Sequence, residues 1–256
     1  MNHVVKQKMT STHQEKILVF VPGRNVGRTI EDAMEKLSSL RRPTFQFDIV
    51  YIDNVSKDGS ADKVEVFKQK QKANYITIIR NPKDVGYGGS NKIAFDYAFK
   101  NNYTYMIEFA GDLQNPYEKI PELYTAIRKK NTGAVFGSRA LEPSNLAVIP
   151  WWKVLGMKLT NKINSWAFDL PITEVHTGFR IFDLRKIQGV NFTNTHTDYR
   201  WSLDSVVELL KVRCTFAEIP IRSIYHAKAT GPSLKELYIV VSYMILRSLK
   251  YKIRGI

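Results

Sequence analysis

Cysteine is almost missing from this chain. Cys214 stands alone among 256 residues, so there is no internal disulfide framework, and a reducing compartment fits. Cys214 lies in Lys211-Val-Arg-Cys-Thr-Phe-Ala and reads as a small buried hydrophobe rather than a nucleophile. No apolar run reaches the roughly 20 residues a bilayer span needs. The stretch from Met1 to Lys16 is polar and lacks the apolar segment of a secretory leader. Acidic residues are few beside basic ones, 24 against 38, which leaves a net charge of +14. That charge suits nucleic acid, an anionic lipid surface or phosphorylated substrates. Zinc-finger spacing, a helix-turn-helix signature and an RNP-type aromatic motif are all absent, so nucleic acid has no support beyond charge. A Walker A loop, a first-strand dinucleotide fingerprint and a Ser-His-Asp or Cys-His triad are absent too.

What is present is an ordinary globular composition, 44% hydrophobic and 24% charged. The length suits one large α/β domain with or without a small appendage. Residues 1–15 read as a disordered tail, 16–226 as the folded domain and 227–256 as a basic amphipathic helix. Short β-branched and aromatic runs at 17–21, 47–52, 75–79 and 103–109 alternate with helical periodicity at 29–37, 60–70 and 91–99. Thr29 is placed as an N-cap, with Asp32 as its capping-box partner. Further on, a helix is expected at 120–130, strands at 133–137, 179–182 and 215–219, and helices at 151–170, 196–210 and 233–254. Alternating strands and helices predict a mostly parallel, Rossmann-like sheet flanked by helices.

In a parallel sheet the strand ends point one way, so the loops Pro22-Gly-Arg24-Asn25, Asp53-Asn-Val-Ser56-Lys-Asp58 and Gly111-Asp112-Leu-Gln114 should converge on one crevice. Asp112 and Gln114 offer the oxygen ligands a hard divalent cation prefers; alternatively, Asp112 merely starts the turn before Pro116. The run Gly86-Tyr-Gly88-Gly lets backbone approach a flat ligand closely. His176 and His226 read as incidental loop histidines, and His196 as the start of a helix.

Taken together, these motifs resemble family 2 glycosyltransferases of the GT-A fold, in particular the dolichol-phosphate mannose synthase branch. The resemblance covers Ile17 to about Arg180, roughly two-thirds of the chain. The family's Pro-x-Tyr-Asn-Glu opening corresponds to Pro22-Gly-Arg24-Asn25-Val26, and its Asp-Asp-Gly-Ser-x-Asp-Gly loop to Asp53 through Gly59. Its Asn-x-Gly-x-Gly segment falls on Asn81 to Gly88, and its Asp-Ala-Asp-Leu-Gln metal motif on Ala110 to Gln114. Gly-Ser-Arg falls on Gly137-Ser138-Arg139, and Ser-Gly-Phe-Arg on Thr177 to Arg180. This chain departs from the pattern at Val26 for a glutamate, Asn54 for an aspartate and Ala110 for the first metal aspartate.

The resemblance implies an inverting transfer from a UDP- or GDP-sugar to a polyprenyl phosphate. The nucleotide sugar would meet Pro22, Arg24, Asn25, Asp53, Ser56, Asp58, Asn81, Gly86, Gly88 and Asp112. Mg2+ or Mn2+ would sit on Asp112 and Gln114, a site weakened by Ala110; a metal-independent site leaning on Arg and Lys, or an inactive protein, are the alternatives. The acceptor phosphate would face Ser138, Arg139, Lys153 and Arg180, with Arg180 also able to serve the leaving diphosphate. Glu174 is either a general base, needed if the acceptor is a saccharide hydroxyl, or a structural carboxylate. Within 227–256, six Lys/Arg face one acid, Glu236. The run Leu237–Leu246 is too short to span a bilayer but suits its surface. A peripheral position on the cytoplasmic membrane face follows, with a core helix or a homo-oligomer interface as the other readings.

Overall fold

The computed structural model describes residues 15–142, 151–222 and 234–254. The expected tail, apart from Glu15, and His226 lie outside these residues. In chain order the elements are β1 (Ile17–Gly23), α1 (Ile30–Leu40), β2 (Asp48–Asp53), α2 (Ser60–Lys70), β3 (Ile76–Arg80), α3 (Gly86–Lys100) and β4 (Tyr105–Phe109). There follow a 3-10 turn at Tyr117–Lys119, α4 (Ile120–Lys130), β5 (Ala134–Ser138), α5 (Trp151–Phe168), β6 (Phe179–Asp183), α6 (Trp201–Lys211), β7 (Phe216–Pro220) and α7 (Leu234–Arg254).

The described strands form one sheet in the order β3-β2-β1-β4-β6-β5-β7. It is parallel throughout except for β6, which runs antiparallel to both β4 and β5. Central strands covered on both faces read as continuous apolar runs, and Leu18, Val19, Phe20 and Val21 are fully buried. Alternate residues feed two cores. Leu18, Phe20, Val50, Met106 and Phe182 pack on one face, with Ala94 and Phe95 of α3 and Leu203 and Val206 of α6. Val19, Val21, Ile49 and Ile107 pack on the other, with Ile30 and Met34 of α1 and Leu123 of α4. α7 packs along α5, where the Phe168 and Tyr251 rings lie 4.4 Å apart and Ser248 Oγ donates to Asn164 Oδ1 at 2.8 Å.

Three local expectations change. α3 begins at Gly86 instead of Asn91, because the Thr197 carbonyl accepts the Gly88 and Gly89 amides at 2.7 and 3.2 Å and so satisfies first-turn donors. Residues 196–200 therefore form a loop, and α6 starts only at Trp201. Thr29 stands at the N-cap of α1 but makes no capping bond; its hydroxyl donates to the Gly111 carbonyl at 2.8 Å, tying α1 to the end of β4.

Gly86 combines a φ of +69° with a virtual Cβ only 2.3 Å from the Thr197 carbonyl, whereas Gly156, inside α5, has open space around it. Gly86→Ala is expected to lose about 1–3 kcal/mol in urea unfolding through overpacking. Gly156→Ala should gain up to about 1 kcal/mol from helix propensity. Shifts of the same sign would contradict this packing.

Candidate active site

Register sets the geometry. Gly23 at the end of β1 pairs with Asp53 at the end of β2, and Phe20 pairs with Glu108 of β4. The tails of β2 and β4 thus flank β1 at one sheet edge, where the chain turns from the β1-β2-β3 side to the β4 side. Open α/β sheets bind ligands at such a switch point. Because β6 is antiparallel, its leading residues Thr177–Arg180 start at this same edge, and Ser138-Arg139 at the end of β5 reach it too. Asp53 and Asp112 accordingly share one side of the molecule.

The first two loops are clipped together. The Asn25 amide donates to Ser56 Oγ at 2.9 Å, and the Lys57 amide to Asn25 Oδ1 at 2.9 Å. The Gly27 amide donates to Asp58 Oδ2 at 2.7 Å. Burial opposes ionisation of Asp58, but donation from Ser60 and Gly27 outweighs it and holds the carboxyl below its usual range. Asp53 is buried, accepting from Tyr51 Oη at 3.2 Å and from the Ser56 amide at 3.1 Å. Asn54 has a structural reason to be an amide. Its Nδ2 donates to Asp84 Oδ1 at 2.8 Å while its Oδ1 accepts from the Val85 amide at 2.9 Å and Asn81 Nδ2 at 3.4 Å. An aspartate there would repel Asp84. Asp84 is held below the usual carboxylate range by the Gly86 amide first, then by Asn54 and the charge of Arg24. Arg24 Nη1 lies 2.7 Å from Asp84 Oδ2. Val26 is buried among apolar neighbours, and Pro22, next to the last residue of β1, is half-buried.

At the end of β4, Asp112 is buried, and its own neighbour bonds both its oxygens. Gln114 donates through its amide to Oδ1 at 3.2 Å and through Nε2 to Oδ2 at 2.7 Å. Ala110 offers no side-chain oxygen. Glu108 lies deeper on the strand and is turned inward, bonded to Tyr87 Oη and 3.4 Å from Asn91 Nδ2, with Arg180 Nε 3.9 Å from its other oxygen. Burial raises its pKa against the pull of Arg180, Tyr87 and Asn91. Among the described residues, no three His, Cys, Asp or Glu side chains come together as a metal site. This donor set does not fit a divalent cation of the kind expected on Asp112 and Gln114.

Two expected acceptor residues sit differently from expectation. Arg180 is 0% exposed. It donates to the Thr177 and Val175 carbonyls at 2.6 and 2.8 Å and to Ser205 Oγ at 3.2 Å, with its guanidinium 4.7 Å from the Phe136 ring centroid. It is a buried strut whose three bonded nitrogens face protein. Arg139 forks onto Glu174, giving its backbone amide to Oε2 at 2.7 Å and its Nε to Oε1 at 2.7 Å. Glu174 is 1% exposed, with both its oxygens bonded to Arg139. Ser138 Oγ lies 2.8 Å from Thr173 Oγ1 in the same assembly. Lys153 lies on α5, with its side chain outside the described residues. Gly86 and Gly88 admit the chain's own Thr197 and His196 backbone.

Sequence reasoning missed an aromatic pair. Tyr199 stacks on Tyr87 with ring centroids 5.3 Å apart. Burial, with the negative charges of Glu236 and Asp112 nearby and against the pull of Arg24, raises the Tyr199 phenol. Its loop reads as helix in sequence, and only the α3 contact reveals it.

The comparisons agree with this geometry. Glucosyl-3-phosphoglycerate synthase from Mycobacterium tuberculosis, solved with Mn2+, UDP-glucose and phosphoglyceric acid, superposes with a TM-score of 0.65 at 12% identity, over 93% of this chain and 80% of that one. That likeness defines the class as a GT-A fold. A family model described as glycosyl transferase family 2 matches residues 18–187, so the chain belongs to that family and is a glycosyltransferase. Among its relatives is polyprenol monophosphomannose synthase of Mycolicibacterium smegmatis, 20% identical over 82% of this chain and 81% of its own length. Human dolichyl-phosphate beta-glucosyltransferase is 26% identical over 82% of this chain and 66% of its own length.

Two outcomes test the buried network. Arg180→Leu leaves Glu108 as an unpaired buried carboxylate and should cost about 3–5 kcal/mol in urea unfolding. His176, whose Nε2 is buried without a partner, is held at a pKa of about 3 by burial and by the charges of Arg180 and Arg139. Between that value and the ordinary 6.5 of an unfolded histidine, only the unfolded chain takes the proton, so stability falls as pH drops below about 6.5. Comparing unfolding at pH 7 and pH 5, His176→Asn should flatten the decline by about 1.4 kcal/mol per pH unit across that window.

Proposed function

We propose that this glycosyltransferase moves a sugar from a nucleoside-diphosphate sugar to a polyprenyl phosphate on the cytoplasmic face of a membrane. An oxygen of the acceptor phosphate attacks the anomeric carbon, the bond from that carbon to the donor diphosphate breaks, and the nucleoside diphosphate leaves. Configuration inverts. A phosphate acceptor is already ionised near neutral pH and needs no general base. The relatives named for polyprenol and dolichyl phosphate acceptors support the acceptor class. The two named sugars, mannose and glucose, leave the donor sugar open.

The observation that carries this reading is a second apolar stripe on the α5–α7 pair. α7 buries Val240 and Met244, yet leaves Tyr238, Ile239, Leu246, Leu249 and Ile253 exposed; α5 exposes Leu155, Leu159 and Trp166 beside them. Lys158, Lys162, Lys250 and Lys252 lie on the same two helices, a composition suited to anionic head groups. No helix among the described residues is long and apolar enough to cross a membrane. The reading with a saccharide hydroxyl acceptor needs Glu174 as a base, and the Arg139 fork holds that carboxylate.

The test is transfer of radiolabelled sugar from UDP- and GDP-sugars to a short-chain polyprenyl phosphate, alongside co-sedimentation with anionic vesicles. Transfer to the lipid phosphate and not to free saccharides is expected. Leu246→Glu with Ile253→Glu should reduce vesicle binding at least tenfold, since each side chain gives up about 1.5–3 kcal/mol of burial. Unchanged sedimentation would sink the membrane assignment, and transfer only to saccharides would sink the acceptor assignment.

A further inference from the structure

Departure of a nucleoside diphosphate requires positive charge at its phosphates. In this crevice the acidic side chains are poorly placed to supply it through a cation. Ala110 carries no oxygen, Gln114 occupies both Asp112 oxygens, and Glu108 is committed to Tyr87, Asn91 and Arg180. A cationic side chain is better placed. Arg24 leaves the end of β1, the strand flanked by the tails carrying Asp53 and Asp112. Its side chain is 57% exposed, and its described partner is Asp84, itself 47% exposed.

Asp84 does not depend on Arg24. It also accepts from Asn54 Nδ2 at 2.8 Å and the Gly86 amide at 2.9 Å, so it stays bonded if the guanidinium swings away. An exposed ion pair is weak in water. A diphosphate offers several oxyanions to the planar fork of an arginine, which matches their geometry with two parallel bonds. Asn25, next to Arg24, ties its loop to the one beyond Asp53, its amide donating to Ser56 Oγ at 2.9 Å.

We propose that Arg24 moves from Asp84 to the donor diphosphate and carries its charge, so that nucleotide binding needs no divalent cation. The inference rests on reading the crevice as a nucleotide-sugar site.

Calorimetric titration of the full chain with UDP, GDP, ADP, CDP and dTDP, each in EDTA and in MnCl2, tests it. At least one diphosphate should bind in EDTA with a Kd within about threefold of its value in Mn2+. Arg24→Ala should weaken that binding at least tenfold in EDTA, about 1.4 kcal/mol, with an unchanged melting temperature. Arg24→Lys should retain part of the affinity, and the matching nucleoside should bind wild type and Arg24→Ala alike. Binding that appears only with Mn2+, or Arg24→Ala binding as wild type in EDTA, overturns the Arg24 proposal and leaves the nucleotide-sugar reading standing. If no diphosphate binds in either buffer, both fall.

Discussion

Everything at the sheet edge depends on β1 lying between β2 and β4. Parallel pairing on both sides brings the ends of three strands to one line, and the helices that follow them, α1, α2 and α4, all pack on one face of the sheet. The bond from Thr29 to the Gly111 carbonyl, at 2.8 Å, ties the start of α1 to the loop beyond β4. A threonine that could have capped its own helix holds the far loop instead.

Below that edge lies a buried polar cluster. Arg180 and Glu108 face each other across the antiparallel β4–β6 pair, with Tyr87 and Asn91 of α3 completing the set. Buried ions are costly unless paired and hydrogen-bonded, so these residues couple the position of α3 to that of β6. Tyr87 extends the coupling outward to Tyr199, and the Thr197 carbonyl holds the same loop on the first turn of α3. The crevice floor and the loop beside it are thus one mechanical unit.

The departures from the family pattern are locally consistent. Asn54 supplies a donor that Asp84 requires, and Val26 fills an apolar position among the core of α1 and α2. Ala110 removes a carboxylate near Glu108 and Asp112, in a site whose remaining acids are already bonded. Together these changes remove three of the carboxylates that the family pattern carries at these loops.

Periodicity and strand-end chemistry determined the α/β class, the mostly parallel sheet and the edge where Asp53 and Asp112 sit. Those features follow from local pattern and from the rule that parallel strands end together. The order of motifs along the chain determined the family. Tertiary structure alone decided that Arg180 is buried, that Arg139 is bound to Glu174, and that Tyr199 stacks on Tyr87. It also decided that Gly86 and Gly88 admit the chain's own backbone. Each of these depends on a contact between residues distant in sequence, and a guanidinium or a glycine carries no local mark of whether its partner will be a ligand or the protein itself.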